Sequence, residues 1–325
     1  MRLPSPERVG GLDLLRGLAV GLVLLRHALP DLAPGAGVVG VVMFFALSGY
    51  LITGVLERRP PLRDFYTRRA RRLVPPLLVL VAGVVLVTLL VDPLGDRDEL
   101  GWTVLWALTW TGNLPFGHAS DATFHLWTLA TEEQFYLLWP AALLLLGRGR
   151  ALVLAAVGTA LACVATTWWL AEDPDLAYSL PTSWAGCFVI GAAVRLYGDR
   201  LEPRLPTWAA PSALAALAAL SVIPLRGHAL TYLAGGPAIA ALTGVLILAC
   251  RSRVTVTGPL RVLVALGTVS YAAYLWNYPL SLWLSPLPAV LLTLVAAALS
   301  WRYVEAPLQR RWSRRPTGAE AEVAA

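Results

Sequence analysis

Residues 11–29 read GLDLLRGLAVGLVLLRHAL, a stretch long and apolar enough for a membrane-crossing helix that nevertheless carries Asp13, Arg16, Arg26 and His27. A helix rises about 1.5 Å per residue, so roughly 20 residues cover the ~30 Å of a hydrocarbon core. Nine comparable stretches follow, at 37–56, 72–91, 127–147, 151–170, 181–197, 207–223, 229–249, 260–283 and 286–304. Lipid offers the backbone no hydrogen-bond partner, so such stretches span as helices. The pattern predicts an all-α, polytopic membrane protein with about ten transmembrane helices. The apolar segment 101–111, with Trp102, Trp106 and Trp110, is too short to cross. Hydrophobic residues make up 57% of the 325 positions and charged ones 14%. Soluble domains sit nearer one-quarter charged, which excludes a string of them here. The arginine inside the first stretch, and the nine stretches after it, favour a retained span over a cleaved signal peptide.

Arginine placement sets the expected orientation. The net charge of +6 comes from 26 arginines and no lysine. If the N-terminal side is inside, 22 of those arginines fall on that side and only Arg97 and Arg226 outside. Cytoplasmic loops carry such an excess, so both termini are expected in the cytoplasm of a cell-membrane protein. The same distribution explains the basic charge without nucleic acid. Cys163, Cys187 and Cys250 lie apart in apolar stretches and suggest neither a disulfide framework nor a zinc site. No phosphate loop, zinc-protease motif or dinucleotide fingerprint occurs, and no metal is expected.

Ionisable residues inside spans need a partner or an aqueous cavity, so they mark candidate sites. Asp13 and Arg16 are three apart and can pair on one helical face. Arg16 and His27 are eleven apart, about three turns and about 16 Å of rise, so they point the same way at different depths. The alternatives are helix packing or an internal polar track with His27 transferring a proton. A second cluster holds His125, Trp127, Glu132, Glu133, Gln134 and Tyr136, either a structural network or the wall of a site. A third is Arg63, Arg68, Arg69, Arg71 and Arg72, ahead of Pro75-Pro76. It reads equally as a topology signal, a contact for anionic lipid or an anion clamp for a phosphate-rich ligand. Ser48-Gly49 permits either close helix approach or a local break, and Ser270, Tyr271, Tyr274, Asn277 and Tyr278 form a polar stripe.

Taken in order, several segments resemble the acyltransferase 3 family of integral-membrane O-acyltransferases. They are LDLLRGLAVGLVLLRH (12–27), FFALSGYLIT (44–53), FYTRRARRLVPP (65–76), FHLWTLATEEQFYLLWP (124–140), VSYAAYLWNYPL (269–280) and WRYVEAPL (301–308). The resemblance implies a membrane acyltransferase domain over 1–308 and leaves 309–325 as a polar cytoplasmic tail. Arg16 and His27 match the family's Arg-x10-His spacing, which implies a catalytic His27 and donor recognition by Arg16. Arg69 and Arg71 match its R-x-R feature, and with Arg68 and Arg72 are expected at the donor phosphates. Glu132, Glu133 and Tyr136 match its EEQFY run and complete the expected catalytic set. Asn277 departs from the family's usual histidine, and Ser183 stands near the place of a usual arginine. Some members carry an added extracytoplasmic domain after the membrane core; none is expected within these 325 residues.

The implied reaction moves an acyl group, acetyl in the simplest case, from acyl-CoA to a hydroxyl of a carbohydrate, glycolipid or macrolide-like acceptor. Acyl-CoA is a substrate, and no resident cofactor is expected. His27 acts either as general base or as a transient acyl carrier. Glu132 or Glu133 is a candidate to orient it, and Arg26, Tyr136 or a backbone amide near Ser48-Gly49 to stabilise the oxyanion. The rival reading is a transporter or channel for an anionic or small polar solute, which also uses buried Arg and His.

Overall fold

Runs of leucine, valine and alanine, broken by glycine, proline and polar clusters, fold as thirteen helices among the described residues. The computed structural model describes residues 10–114, 119–253 and 255–313. The expected placement of both termini and the tail from 314 onward lie outside these residues. The helices are α1 Gly10–Ala28, α2 Ala36–Leu56, α3 Leu62–Leu90, α4 Leu100–Thr109, α5 Trp127–Leu146, α6 Arg148–Trp169, α7 Pro181–Leu201 and α8 Ala209–Ser221. They continue as α9 Gly236–Cys250, α10 Arg261–Thr268, α11 Ser270–Trp283, α12 Pro286–Ser300 and α13 Ala306–Ser313. π-Helical turns, Thr231–Gly235 and Trp301–Glu305, lead into α9 and α13.

The all-α membrane architecture stands, but the expected ten crossings do not. Among the described residues five helices are long and apolar enough to cross: Ala36–Leu56, Leu62–Leu90, Arg148–Trp169, Thr231–Cys250 and Pro286–Arg310. A sixth is counted if Gly258–Thr268 and Ser270–Trp283, bent by 73°, act as one. The other expected spans fall short for visible reasons. Asp13, Arg16 and Arg26 interrupt α1, Glu132, Glu133 and Gln134 interrupt α5, and α7 ends on Arg195, Asp199 and Arg200. The helix in 207–223 has only 13 residues.

Burial sorts the helices into an inner and an outer set. Val39, Val42, Met43, Phe45 and Ala46 of α2 are fully buried, as are Ala19 and Val20 of α1 and Ala272, Ala273 and Leu275 of α11. By contrast, α6 bares Val153, Leu154, Val157, Leu161, Val164, Trp168 and Trp169. A soluble protein rarely shows an apolar face that large, whereas lipid is a matching solvent for it.

Two backbone contacts fix the inner set. A Cβ on Gly49 of α2 would stand 2.0 Å from the Phe188 carbonyl of α7, and one on Gly191 would stand 2.0 Å from the Ala46 carbonyl. Likewise, a Cβ on Gly17 of α1 would lie 1.8 Å from the Leu263 carbonyl, and one on Gly267 1.8 Å from that of Asp13. Only glycine permits these approaches. Ser48-Gly49 is thus a helix contact, and α1 is held rigidly enough to carry polar groups at fixed depths.

Candidate active site

Two cavities meet end to end in the inner set of helices. The first, about 260 Å³, is lined by Arg16, Ser48, Arg69, Arg72, Glu132 and Tyr136 among others. The second, about 250 Å³, is lined by Arg26, His27, His125, Trp127, Tyr178 and Arg226 among others. Val41 and Tyr274 line both, so these two side chains form the shared wall. Tyr274 is fixed there: its Oη lies 2.7 Å from Thr128 Oγ1 and donates to the His125 carbonyl at 3.1 Å. Arg16 and His27, one helical face apart in depth, open into different cavities. The first borders the arginine-rich segment at the start of α3; the second borders the segments that hold Asp175 and Arg226.

In the first cavity the chemistry centres on a buried ion cluster. Arg69 Nε donates to Glu133 Oε1 at 2.9 Å, its terminal nitrogen lies 3.7 Å from Glu132 Oε2, and its guanidinium sits 3.2 Å from the centre of the Tyr136 ring. Ser48 Oγ donates to Glu132 Oε1 at 3.2 Å and Tyr136 Oη to Oε2 at 3.1 Å. The successive positions 132 and 133 point to different sides of α5, and Arg69 reaches both. Both carboxylates are held by this one cation, and Glu132 by the two hydroxyls as well. Arg16 pairs with Asp13 at 3.4 Å. Arg72 completes the basic lining, while Arg68 and Arg71 are exposed and line neither cavity.

In the second cavity His27 is oriented by α11. Its Nδ1 contacts Asn277 Oδ1. An amide oxygen only accepts, so Nδ1 carries the proton and Nε2 keeps the lone pair. The Tyr278 ring meets His27 edge-on at 5.5 Å and stacks on His125 at 5.1 Å, packing the imidazole from the side. At the rim, Arg226 grips Asp175 through two hydrogen bonds of 2.7 and 2.8 Å and lies 4.6 Å from the Tyr178 ring centre. Those hydrogen bonds hold the Asp175 carboxyl below the usual carboxylate range.

The structure therefore regroups the residues expected from sequence. Glu132 and Glu133 do not orient His27; they engage Arg69, and the orienting partner is Asn277. A one-helix period places Arg16 and His27, but Asn277 is 250 positions from His27 and Arg69 is 64 from Glu133. The Asp175–Arg226 clasp and the Val41–Tyr274 wall were also missed. The sole hint of the clasp was Arg226 itself, one of two arginines on the side that the charge pattern reads as outer. No group of three or more His, Cys, Asp or Glu suited to a metal ion occurs among the described residues.

Comparison with known proteins bears on the same span. A sequence model described as an acyltransferase domain matches residues 9–303. The chain is 29% identical to peptidoglycan O-acetyltransferase OatA of Listeria monocytogenes, covering 94% of this chain and 56% of that protein. It is 30% identical, with the same two coverages, to YrhL of Bacillus subtilis, described as a putative peptidoglycan O-acetyltransferase. It is 33% identical to BcsY of Komagataeibacter xylinus, described as a putative membrane-bound transacylase, over 82% of this chain and 72% of that one. The chain thus spans little more than half the length of the first two relatives. No solved structure matches it.

Proposed function

Because the chain belongs to the acyltransferase 3 family, whose domain covers residues 9–303, we propose that it transfers an acyl group from acyl-CoA to a hydroxyl of a cell-surface polysaccharide. Acetyl is the simplest group, in keeping with the relatives described as O-acetyltransferases. The observation that carries the reading is the pair of abutting cavities: one bears Arg16, Arg69 and Arg72, the other His27, and a single wall parts them.

Each half supplies what one substrate needs. Guanidinium groups suit the phosphates of coenzyme A through paired hydrogen bonds. In this reading Arg72, with Arg68 and Arg71 on the surface beside it, takes the nucleotide end, and the narrow pantetheine arm runs past Arg16. Arg69 is committed to Glu132 and Glu133, so it shapes the passage more than it grips the phosphates. In this reading the thioester passes between Val41 and Tyr274 into the cavity that holds His27.

At His27 the chemistry balances simply. Nε2 takes the proton of the acceptor hydroxyl as its oxygen attacks the thioester carbon. The tetrahedral intermediate collapses with loss of the carbon–sulfur bond, and the proton passes to the departing thiolate, giving an ester and free coenzyme A. Asn277 holds the tautomer in which Nε2 is the base. Direct transfer needs no acyl-enzyme, and nothing in the cavity's chemistry requires one.

The test is transfer of labelled acetyl from acetyl-CoA to a cell-wall polysaccharide by the purified protein. His27→Ala is expected to eliminate labelled ester while eluting from a sizing column as the parent does. Normal turnover by that variant sinks the assignment of His27. Solute flux through proteoliposomes without release of coenzyme A would instead favour the transporter reading.

A further inference from the structure

We infer that the second cavity selects a sugar acceptor carrying an anionic group, a carboxylate or a phosphate, and that Arg26 is the residue that reads it. This rests on the acyltransfer reading for the identity of the cavity as an acceptor site, and deepens it.

The lining is unbalanced in charge. Arg26, His27 and Arg226 line the cavity with His125, and among the described residues no carboxylate does. Arg226 is neutralised at the rim by its two hydrogen bonds to Asp175. Arg26 makes no ion pair and no hydrogen bond among the described residues, its titratable neighbours being Tyr178 and His27, and it is only partly exposed. A half-buried guanidinium beside aromatic rings loses hydration that an exposed arginine keeps, and a bound anion restores what is lost.

Local packing aims the side chain. Arg26 sits in the last turn of α1, and its stem lies over Gly37 of α2, where a Cβ would stand 3.1 Å from Arg26 Cγ. Gly37 lines the same cavity, so the absence of a side chain there lets the arginine lie across α2 beside His27. Arg26 and His27 line the same cavity, so an anion held by Arg26 lies in the space that the imidazole faces. The remaining surface is largely aromatic, with Phe124, Trp127, Tyr178 and Tyr278, which suits the apolar face of a sugar ring.

Other roles for Arg26 predict different results. A cation at a helix C-terminus also complements the helix dipole, a role that affects stability alone. A donor to the tetrahedral oxyanion would slow transfer to charged and neutral acceptors alike. A reader of acceptor charge changes the preference between them.

The experiment measures binding of methyl β-glucuronide, methyl β-glucoside and methyl β-glucoside 6-phosphate to the full-length protein in detergent, by saturation-transfer NMR without acetyl-CoA. The expected result is at least tenfold tighter binding of an anionic sugar than of the glucoside. The two anionic arms tell carboxylate from phosphate. Arg26→Gln should abolish that preference, while Arg26→Lys retains most of it. Asp175→Asn, which releases Arg226, should strengthen anion binding further. Equal binding of all three sugars, no binding of the anionic ones, or an unchanged preference in Arg26→Gln each overturns the proposal. Because binding is read without the donor, anionic preference with no release of coenzyme A would defeat acyl transfer and leave only the cavity's selectivity for an anionic sugar, read by Arg26, standing. Release of coenzyme A with no preference would defeat this inference alone.

Discussion

Replacing Arg69 by Met asks whether the cluster at the start of α5 is scaffolding or a donor clamp. The side chains of Arg69, Glu132 and Glu133 are 16%, 15% and 19% exposed. Methionine keeps most of the stem's volume but strands two carboxylates that Arg69 alone neutralises in the described contacts. Removing one partner from a buried ion pair typically costs about 3–5 kcal/mol, far more than the ~0–1 kcal/mol of a surface pair. Glu132 retains its hydrogen bonds from Ser48 and Tyr136, which places the expected loss at the lower end, about 3 kcal/mol. The assay is thermal unfolding in one fixed detergent, followed by tryptophan fluorescence. Arg69→Met should melt well below the parent, and adding Glu132→Gln and Glu133→Gln should recover most of the loss by removing the stranded charge. If Arg69→Met melts with the parent and only raises the KM for acetyl-CoA, the cluster does not hold the fold and Arg69 is a donor ligand after all.

Three further outcomes follow from the same geometry. Asn277→Leu should lower kcat by roughly tenfold or more with little change in the acetyl-CoA KM, because the imidazole loses the acceptor that fixes its tautomer; Asn277→Asp, which still accepts, should retain more of the rate. Gly191→Ala should force α2 and α7 apart against the Ala46 carbonyl and cost about 1–3 kcal/mol, read as lost monodispersity in detergent. Gly186→Ala on the same helix, whose Cβ would meet Thr159 Oγ1 at a comfortable 3.6 Å, should be tolerated. Asp175 is held below its ordinary pKa of 3.8 by Arg226, so its contribution to stability is present above that value and fades as the pH falls through the lower folded value. The difference in melting between parent and Asp175→Asn should accordingly be seen at pH 7 and shrink in acid below about pH 4.

Much of the chemistry was legible because it is local. The eleven-residue interval between Arg16 and His27 is a property of one helix, and helical geometry alone sets their depths. Pairing across the bundle is not local: neither the grip of Arg69 on Glu132 and Glu133 nor that of Asn277 on His27 leaves a period in the sequence. Glu132 or Glu133 was the candidate to orient the histidine, and the fold places the Asn277 amide there instead. The span count failed for another physical reason. Hydropathy measures how apolar a stretch is, and a helix buried in protein can be as apolar as one bathed in lipid, or a good deal less.

That second possibility is the informative one. Of the long apolar helices, Arg148–Trp169, Thr231–Cys250 and Pro286–Arg310 line neither cavity, and two of them turn much of their surface outward. The helices that line both are the charge-interrupted α1 and α5 and the bent α11, together with α2, which contributes the shared Val41. Lipid penalises an ionisable side chain, so such helices persist only where neighbouring helices offer partners or a wet cavity. In α1 and α5, Arg16, Arg26 and Glu132 both break the hydrophobic pattern and line the cavities. In this fold the charges that break α1 and α5 therefore point to the site, whereas α7, which ends on Arg195, Asp199 and Arg200, lines neither cavity, and the outer apolar helices supply the lipid-facing wall.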